Sequence, residues 1–552
     1  MKESGGLGRA GGVAHHRMQW VGSLVIAAMA IMLLPAAATG QTAERAPKWA
    51  PHIDVEGKAG TKRNLGEADL FVPLAQDGTT LLFSSLRTRM DDGDGLEGNF
   101  GLGLRHMLDS GWNLGTYAYF DRRKSELENY FSQVTLGLEA LSLDWDLRAN
   151  AYLPQGRRSH QVDALNTAEV SGTSVVFRGG EERSLSGFDG EIGWRLPFFD
   201  SEAAQQLRFY AGGYRFTSDN DAVPDVQGPR LRAEMVFDEV PGLWDGARLS
   251  LGAEWQHDDP RGSQGFLSAR LRIPLQSFGR TASRLTPMER RMADPVVRDI
   301  DIVSRAGTFG APETVTQTAN GGSLTVLNSA STSGANLATA VTNAGSNSTV
   351  LLSGTFNTTN TVSLATGQTL TGAVTVRNAS GRLATVSTGA TVNASNLAST
   401  VVVNSGGTVS NLTVTNAFSG GTGGRAVLVA DGVSNATISN NTITVTQSGA
   451  NGGVALVLGN NVSAVVRGNT LTATGSGAAT TITALAANVG SPTITVANNS
   501  ISASGGTTNN MVLVGAGTVI NAGSTGNIRG SGDCNGTPAS GSIGFTNGTT
   551  CP

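Results

Sequence analysis

The sequence predicts an all-β protein in two parts: a 12-stranded transmembrane outer-membrane β-barrel, followed by a parallel β-helix or solenoid. Three observations point there. The charged and aromatic residues crowd into the first 310 positions, the same region alternates apolar and polar residues with a period of two, and the rest repeats itself about every 29 residues.

The average composition hides the split. The chain has 552 residues, 39 Lys and Arg, 43 Asp and Glu, 73 Gly, and a net charge of −4. A charged fraction of 15% is low for a soluble protein, and the absence of a basic excess leaves no basis for binding nucleic acid. Between Ala311 and Pro552 the only charged side chains are Glu313, Arg377, Arg382, Arg425, Asp431, Arg467, Arg529 and Asp533, and the only aromatics are Phe356, Phe418 and Phe545.

Arg9, His15, His16 and Arg17 precede an apolar run from Trp20 to Leu34, which Pro35 interrupts before Ala36, Ala37, Ala38, Thr39 and Gly40. This order predicts a secretory signal peptide over residues 1–40, cut after Gly40, and a short periplasmic segment over 41–51. The run is short for a membrane span, and no later stretch is long and apolar enough to form one.

Residues 52–276 are expected to form the barrel. Leu143, Trp145, Leu147, Ala149, Ala151 and Leu153 interleave with Asp144, Asp146, Arg148, Asn150 and Tyr152, and Leu249 to Gln256 and Leu267 to Leu275 alternate likewise. One face of such a strand is oily and the other ionic. Runs of about 9 to 11 residues suit a tilted crossing of a bilayer, and a closed ladder leaves no backbone group unpaired in lipid. Outer-membrane lipid is thus the expected partner of the outer face.

Twelve strands are expected: His52–Lys58, Glu67–Leu74, Thr79–Arg89, Asn99–Met107, Trp112–Arg122, Tyr130–Ala140, Leu143–Leu153, Gly187–Pro197, Gln206–Thr217, Pro229–Asp238, Ala247–His257 and Gln264–Leu275. Asp54, Asp144, Asp146, Arg148, Glu191, Glu254 and Arg270 fall on inward positions, lining a wet or plugged lumen. Tight turns follow even strands, and longer segments, 90–98, 154–186 and 218–228, follow odd ones. Short turns belong to the periplasm, so both barrel ends are expected there.

Asn99–Arg105, Trp112–Asp121, Leu136–Glu139 and Ala149–Leu153 resemble, in order and spacing, the β-domain of inverse autotransporters, the intimin and invasin family. The resemblance covers about residues 50–305. It implies an outer-membrane translocator that anchors and exports its own C-terminal passenger for adhesion or surface display, assembled with barrel-assembly machinery and periplasmic chaperones. It also implies that Arg291–Val303 returns through the pore as a linker, spanning 277–309. The residues agree: Thr286, Pro287 and Glu289 form a capping box with proline at the first helical position, and Pro295 should end the helix. Arg290, Arg291 and Arg298, with Asp294, Asp299 and Asp301, would meet the ionic lumen. About eleven residues separate Gly40 from the first strand, too few for the peptidoglycan-binding module of some members.

Residues 310–552 align in columns. Val427, Leu456, Leu485 and Leu513 form one, spaced 29, 29 and 28; Ile438, Val466 and Val496 form a second. Asn441, Asn469 and Asn499 are placed to stack as an amide ladder at a coil corner. Leu351–Phe356 and Val362–Gly372 resemble the opening coils of right-handed, pectate-lyase-like β-helices. A disordered stalk is the alternative. Cys534 and Cys551 are expected to join as a disulfide over the last coil, the alternative being two free thiols.

Enzyme chemistry finds little support. No HExxH, P-loop or strand-embedded GxGxxG occurs, and the histidines do not cluster. Asp91–Glu97 looks calcium-like but lacks the full loop, and reads as a solvated loop. Asp431 and Arg467 are the only passenger pair of catalytic type. The expectation is no enzyme, no cofactor and no metal, with a host or surface ligand bound by the passenger. A surface polysaccharide lyase and a porin with a disordered tail are the alternatives.

Overall fold

The computed structural model describes residues 48–552 except 239, 241, 276–284, 300, 420–422 and 477–478. The expected signal peptide lies outside the described residues. No described helix is long and apolar enough to cross a membrane.

The barrel is built from β1 (His52–Gly60), β2 (Leu65–Gln76), β3 (Thr80–Asp91), β4 (Leu96–Met107), β5 (Trp112–Lys124), β6 (Tyr130–Ser142) and β7 (Trp145–Gln155). Four short strands follow, β8 (Ser159–Gln161), β9 (Thr167–Ser171), β10 (Ser174–Arg178) and β11 (Glu181–Ser184). The wall resumes with β12 (Ser186–Leu196), β13 (Gln205–Thr217), β14 (Val226–Asp238), β15 (Arg248–Asp258) and β16 (Gly262–Pro274). Every wall neighbour is antiparallel, and β1 pairs with both β2 and β16, closing twelve strands. Closure follows from the alternation: in β4, Glu97, Asn99 and Arg105 are buried inside, while Phe100, Leu102 and Leu104 face outward and are exposed.

Several strands run two or three residues past their expected ends, mostly at the long-loop end: β4 starts at Leu96 and β14 at Val226. There the ladder continues through polar residues and glycines such as Glu97, Gly98, Gln227 and Gly228, which interrupt the alternation, so hydropathy no longer marks the strand. The segment between β3 and β4 shrinks accordingly. Asp91 Oδ1 accepts the amides of Gly93 and Gly95 at 2.9 and 2.8 Å, so the calcium-like run is a turn closed on its own backbone.

Two corrections concern segments read as loops or columns. Residues 154–186 were expected as a plain loop; they carry β8–β11 in two three-stranded antiparallel sheets completed by β17 (Ser304–Gly307) and β18 (Glu313–Val315). The hairpin signal was present, with Gly172 at φ +60° between Val170 and the alternating Ser174–Arg178. In the repeat column, Leu485 pairs with Val512, not Leu513. Val512 is buried and Leu513 is 38% exposed, because a one-residue slip reverses every side chain and the core selects the register.

The linker helix α1 (Pro287–Arg291) begins at the expected cap: Thr286 Oγ1 accepts from Glu289 N at 3.3 Å, and Glu289 Oε2 accepts from Thr286 N at 2.8 Å. The passenger is a parallel β-solenoid of about seven turns, with three sheets that start at Leu324–Asn328, Thr355–Thr358 and Val362–Ser363. Its interior is a continuous apolar column from Leu327 to Cys551. Helix α2 (Gly334–Ala344) plugs the first coil with Leu337 and Val341. Two apolar positions among Ala, Asn and Thr left no helical period to read.

Candidate functional site: the threaded lumen

The lumen is filled by the chain's own linker, bonded to the wall from one rim to the other. At the tight-turn end, Trp49 is buried against the barrel, and its indole Nε1 donates to Glu289 O at 2.7 Å. Asn113 Nδ2 donates to Met288 O at 3.0 Å. Arg105 Nη1 donates to Met292 O and Asp294 O at 2.8 and 2.7 Å, with its Nε 2.5 Å from Glu139. Midway, Arg87 Nη2 donates to Val296 O at 3.1 Å and Tyr117 Oη to Val297 O at 3.3 Å. Towards the long-loop end, Asp299 N donates to Tyr152 Oη at 2.6 Å, and Ile302 N to Glu97 Oε2 at 3.0 Å. Arg123 Nη1 then donates to Ile302 O at 2.7 Å, and Leu185 N to Val303 O at 2.8 Å. An extended strand in a pore has no ladder of its own, so wall side chains satisfy its backbone.

Ion pairs follow the same path. Arg291 Nη2 meets Asp146 Oδ1 at 2.6 Å, Asp294 Oδ1 meets Arg248 at 2.6 Å, and Asp301 binds Arg63 and, at 3.1 Å, Arg89. Arg298 pairs with Asp121 at 2.9 Å with both side chains wholly buried, and its guanidinium lies 4.3 Å from the centre of the Tyr119 ring. Arg290 sits at the turn-end rim, 3.8 Å from Asp238, and Pro295 lies between the backbone groups that Arg105 and Arg87 hold.

The wall residues read from the sequence divide into two groups. Asp146 and Arg148 form a network with Arg208, Arg291 and Glu191. Asp54 pairs with Arg272, Glu254 with Lys58, and Arg270 with Glu56, all between wall strands inside the lumen. Asp144 is the exception. It lies in the turn before β7, 55% exposed and 2.8 Å from Arg195, because β7 begins at Trp145 and the inward row ends one step sooner than its alternation suggested. The residues that grip the linker most, Arg105, Asp121, Arg87 and Tyr152, were not singled out, although their inward parity marks them. A polar cavity of about 90 Å³ remains beside Val296–Asp299, room for several waters and not for a solute channel.

Outside the membrane belt, the turn Asp77–Thr79 is locked by Asp77 Oδ1, which accepts the amides of Gly78, Thr79 and Thr80 at 2.7 to 2.8 Å. Those amides, of Thr79 and Thr80 above all, pull its carboxyl down to about 2. In the passenger, Asp431 Oδ1 accepts Asn460 N at 2.7 Å and makes no ion pair with Arg467 among the described residues; the structure does not bring that pair together. Among the described residues no cluster of His, Cys, Asp and Glu is placed to hold a metal. Cys534 and Cys551 form a disulfide, with Cα atoms 5.3 Å apart.

A closed antiparallel barrel with an oily belt, an ionic interior and its own downstream chain through the middle defines an outer-membrane barrel plugged by its own chain. The family model of the inverse autotransporter β-domain matches residues 42–220, most of the barrel wall, and that stretch is an inverse autotransporter β-domain of the outer membrane, with the β-solenoid following it in the chain. No curated protein matches the chain in sequence. Solved structures that overlay on it include the β domain of the Bordetella autotransporter BrkA, at 14% identity over 41% of this chain and 98% of that one, TM-score 0.23. The NanC porin overlays at 11% identity over 40% and 100% of the two chains, TM-score 0.25, and the KdgM porin at 8% over 40% and 97%, TM-score 0.24.

Proposed function

We propose that the barrel exports its C-terminal solenoid across the outer membrane and holds it on the cell surface as an adhesin. The observation that carries this reading is the linker: its backbone is bonded in sequence from Met288 at the tight-turn rim to Val303 at the long-loop rim, and the passenger begins just beyond. Tight turns face the periplasm in barrels of this kind, so the solenoid lies outside. The signal peptide is removed on the way, and periplasmic chaperones and the barrel-assembly machinery deliver the chain to the membrane.

Adhesion is the reading favoured for the passenger surface. Thr442, Thr444 and Thr446 on one coil stack over Thr470, Thr472 and Thr474 on the next, an uncharged sheet face of hydroxyls suited to hydrogen-bonding a host or surface ligand. The role needs no catalysis. Protease shaving of intact cells, read with epitopes at each end of the mature chain, tests the orientation. Loss of the C-terminal epitope with the barrel protected is expected; a shielded C-terminus in intact cells that digests only after lysis overturns it.

A further inference from the structure

We propose that the barrel loop between β7 and β12 is a folding template for the passenger, an intramolecular chaperone on which the first solenoid coils assemble. The proposal rests on the reading that this barrel exports this solenoid.

Hairpin β9–β10 belongs to the barrel domain in sequence, yet its apolar side is completed only by the passenger. Val175 and Phe177, both essentially inaccessible, share one core with Val315, Val326, Leu351, Val376, Ala384 and Val386. Strand β10 extends by pairing Val175 with Val315 and Phe177 with Glu313. Without the passenger those two barrel side chains face water; without the loop the first coils expose the same cluster.

The passenger also carries a device for this contact. Between two solenoid strands, Thr369–Thr371 and Thr391–Ser395, it inserts an antiparallel hairpin, Ala373–Arg377 with Leu383–Ser387, that departs from the parallel coil. Arg382 at its turn, one of the few charges in the passenger, donates to Asp163 Oδ1 at 2.7 Å, to Asn166 Oδ1 at 2.5 Å and to Gly180 O at 2.8 Å. Asn166 Nδ2 returns a bond to Leu383 O at 3.0 Å, and Gly310 N donates to Gly179 O at 2.9 Å. Approach is close enough that a Cβ on Gly310 would sit 2.8 Å from the Gly179 amide nitrogen.

The physical need is nucleation. A solenoid coil cannot bury its face alone, and a parallel sheet must close long loops before any contact rewards it. A formed hairpin held by the barrel offers the first coil a finished edge and core, and later coils then add one at a time.

The test compares the full chain in cells and refolded in detergent, with Phe177→Asp in the loop and Arg382→Glu in the passenger hairpin, the second remote from the barrel wall. Barrel folding is read by heat-modifiable mobility, arrival outside by labelling the C-terminus, and passenger folding by the rate at which a protease-resistant fragment appears. The template role predicts a folded barrel and a passenger that gains resistance about tenfold more slowly or more in both variants. Resistance gained at the wild-type rate in Arg382→Glu overturns it, even if the finished protein melts lower. A wild-type C-terminus that never reaches the outside refutes export instead, and the detergent refolding rates still decide the template.

Discussion

At the residue scale, the most exposed dependence of the plug is the Arg298–Asp121 pair, since neither side chain has access to water. Asp121 also accepts from Asn99 at 2.8 Å and Thr135 at 2.6 Å, so its charge is surrounded by donors. Asp121→Asn leaves the guanidinium buried and uncompensated, and a loss of about 3 to 5 kcal/mol is expected in urea or thermal unfolding of the barrel in detergent. Asp121→Leu combined with Arg298→Met removes both charges and should recover most of it. The Asp163–Arg382 contact titrates in the opposite setting, near solvent. Arg382, with Asn166, holds the Asp163 carboxyl below its usual value, so the attraction is complete above the ordinary pKa near ~3.9 and fades as pH falls through the lowered one. Spin labels at Arg157 and Ser380 should report a distance distribution that broadens in acid, and Asp163→Asn should broaden it at every pH.

At the element scale, the Asn ladder decides how firmly the coils stack. Asn441 Nδ2 donates to Asn469 Oδ1 at 3.0 Å, Asn469 to Asn499 at 2.9 Å, and Asn499 to Asn527 at 3.1 Å, each oxygen also accepting the preceding Asn's backbone amide. Asn527 stands 28 residues beyond Asn499, the step that also separates Asn441 from Asn469, but Ser524 takes the place of the apolar residue (Ile438, Val466, Val496) that marks the column in the earlier coils. Asn469→Ala leaves the Asn441 backbone N–H buried without an acceptor, while its side chain keeps Val409 O, a cost of about 1 to 3 kcal/mol in urea unfolding of the passenger. Asn393→Ala, outside the ladder on an outward position where it bonds Asn357 and Thr415, should cost less, about 0.5 to 1 kcal/mol. Barrel strands were legible almost to the residue wherever lipid imposed alternation. Strands β8–β11 were not, since they are completed by β17 and β18 more than 100 residues away, and helix α2 was not, since only Leu337 and Val341 mark its buried face.

At the scale of the whole molecule, one chain builds a pore and closes it. The linker satisfies its backbone and its charges on the wall, and the residual cavity is too small for a channel. In planar bilayers the intact protein should therefore conduct little. Deleting residues 285–303, or weakening the plug with Arg105→Ala and Asp121→Asn together, should raise the single-channel conductance severalfold or more. An unchanged conductance in the deletion would mean that the wall itself collapses into the lumen.

Local rules in the sequence determined the architecture: an alternation of two carried over runs long enough to cross a bilayer with charges on the second face, a repeat near 29 that suits stacked coils, and a capping box that starts α1. They also placed ionic side chains in the lumen. The tertiary structure decided which of those charges meet, which register puts Val512 and not Leu513 in the core, and that a loop of the barrel and a hairpin of the passenger share one hydrophobic cluster. The reason is that periodicity records the environment each residue faces, lipid, lumen or coil interior, whereas pairing depends on distances closed only when segments some 200 residues apart, such as Asp163 and Arg382, fold against each other.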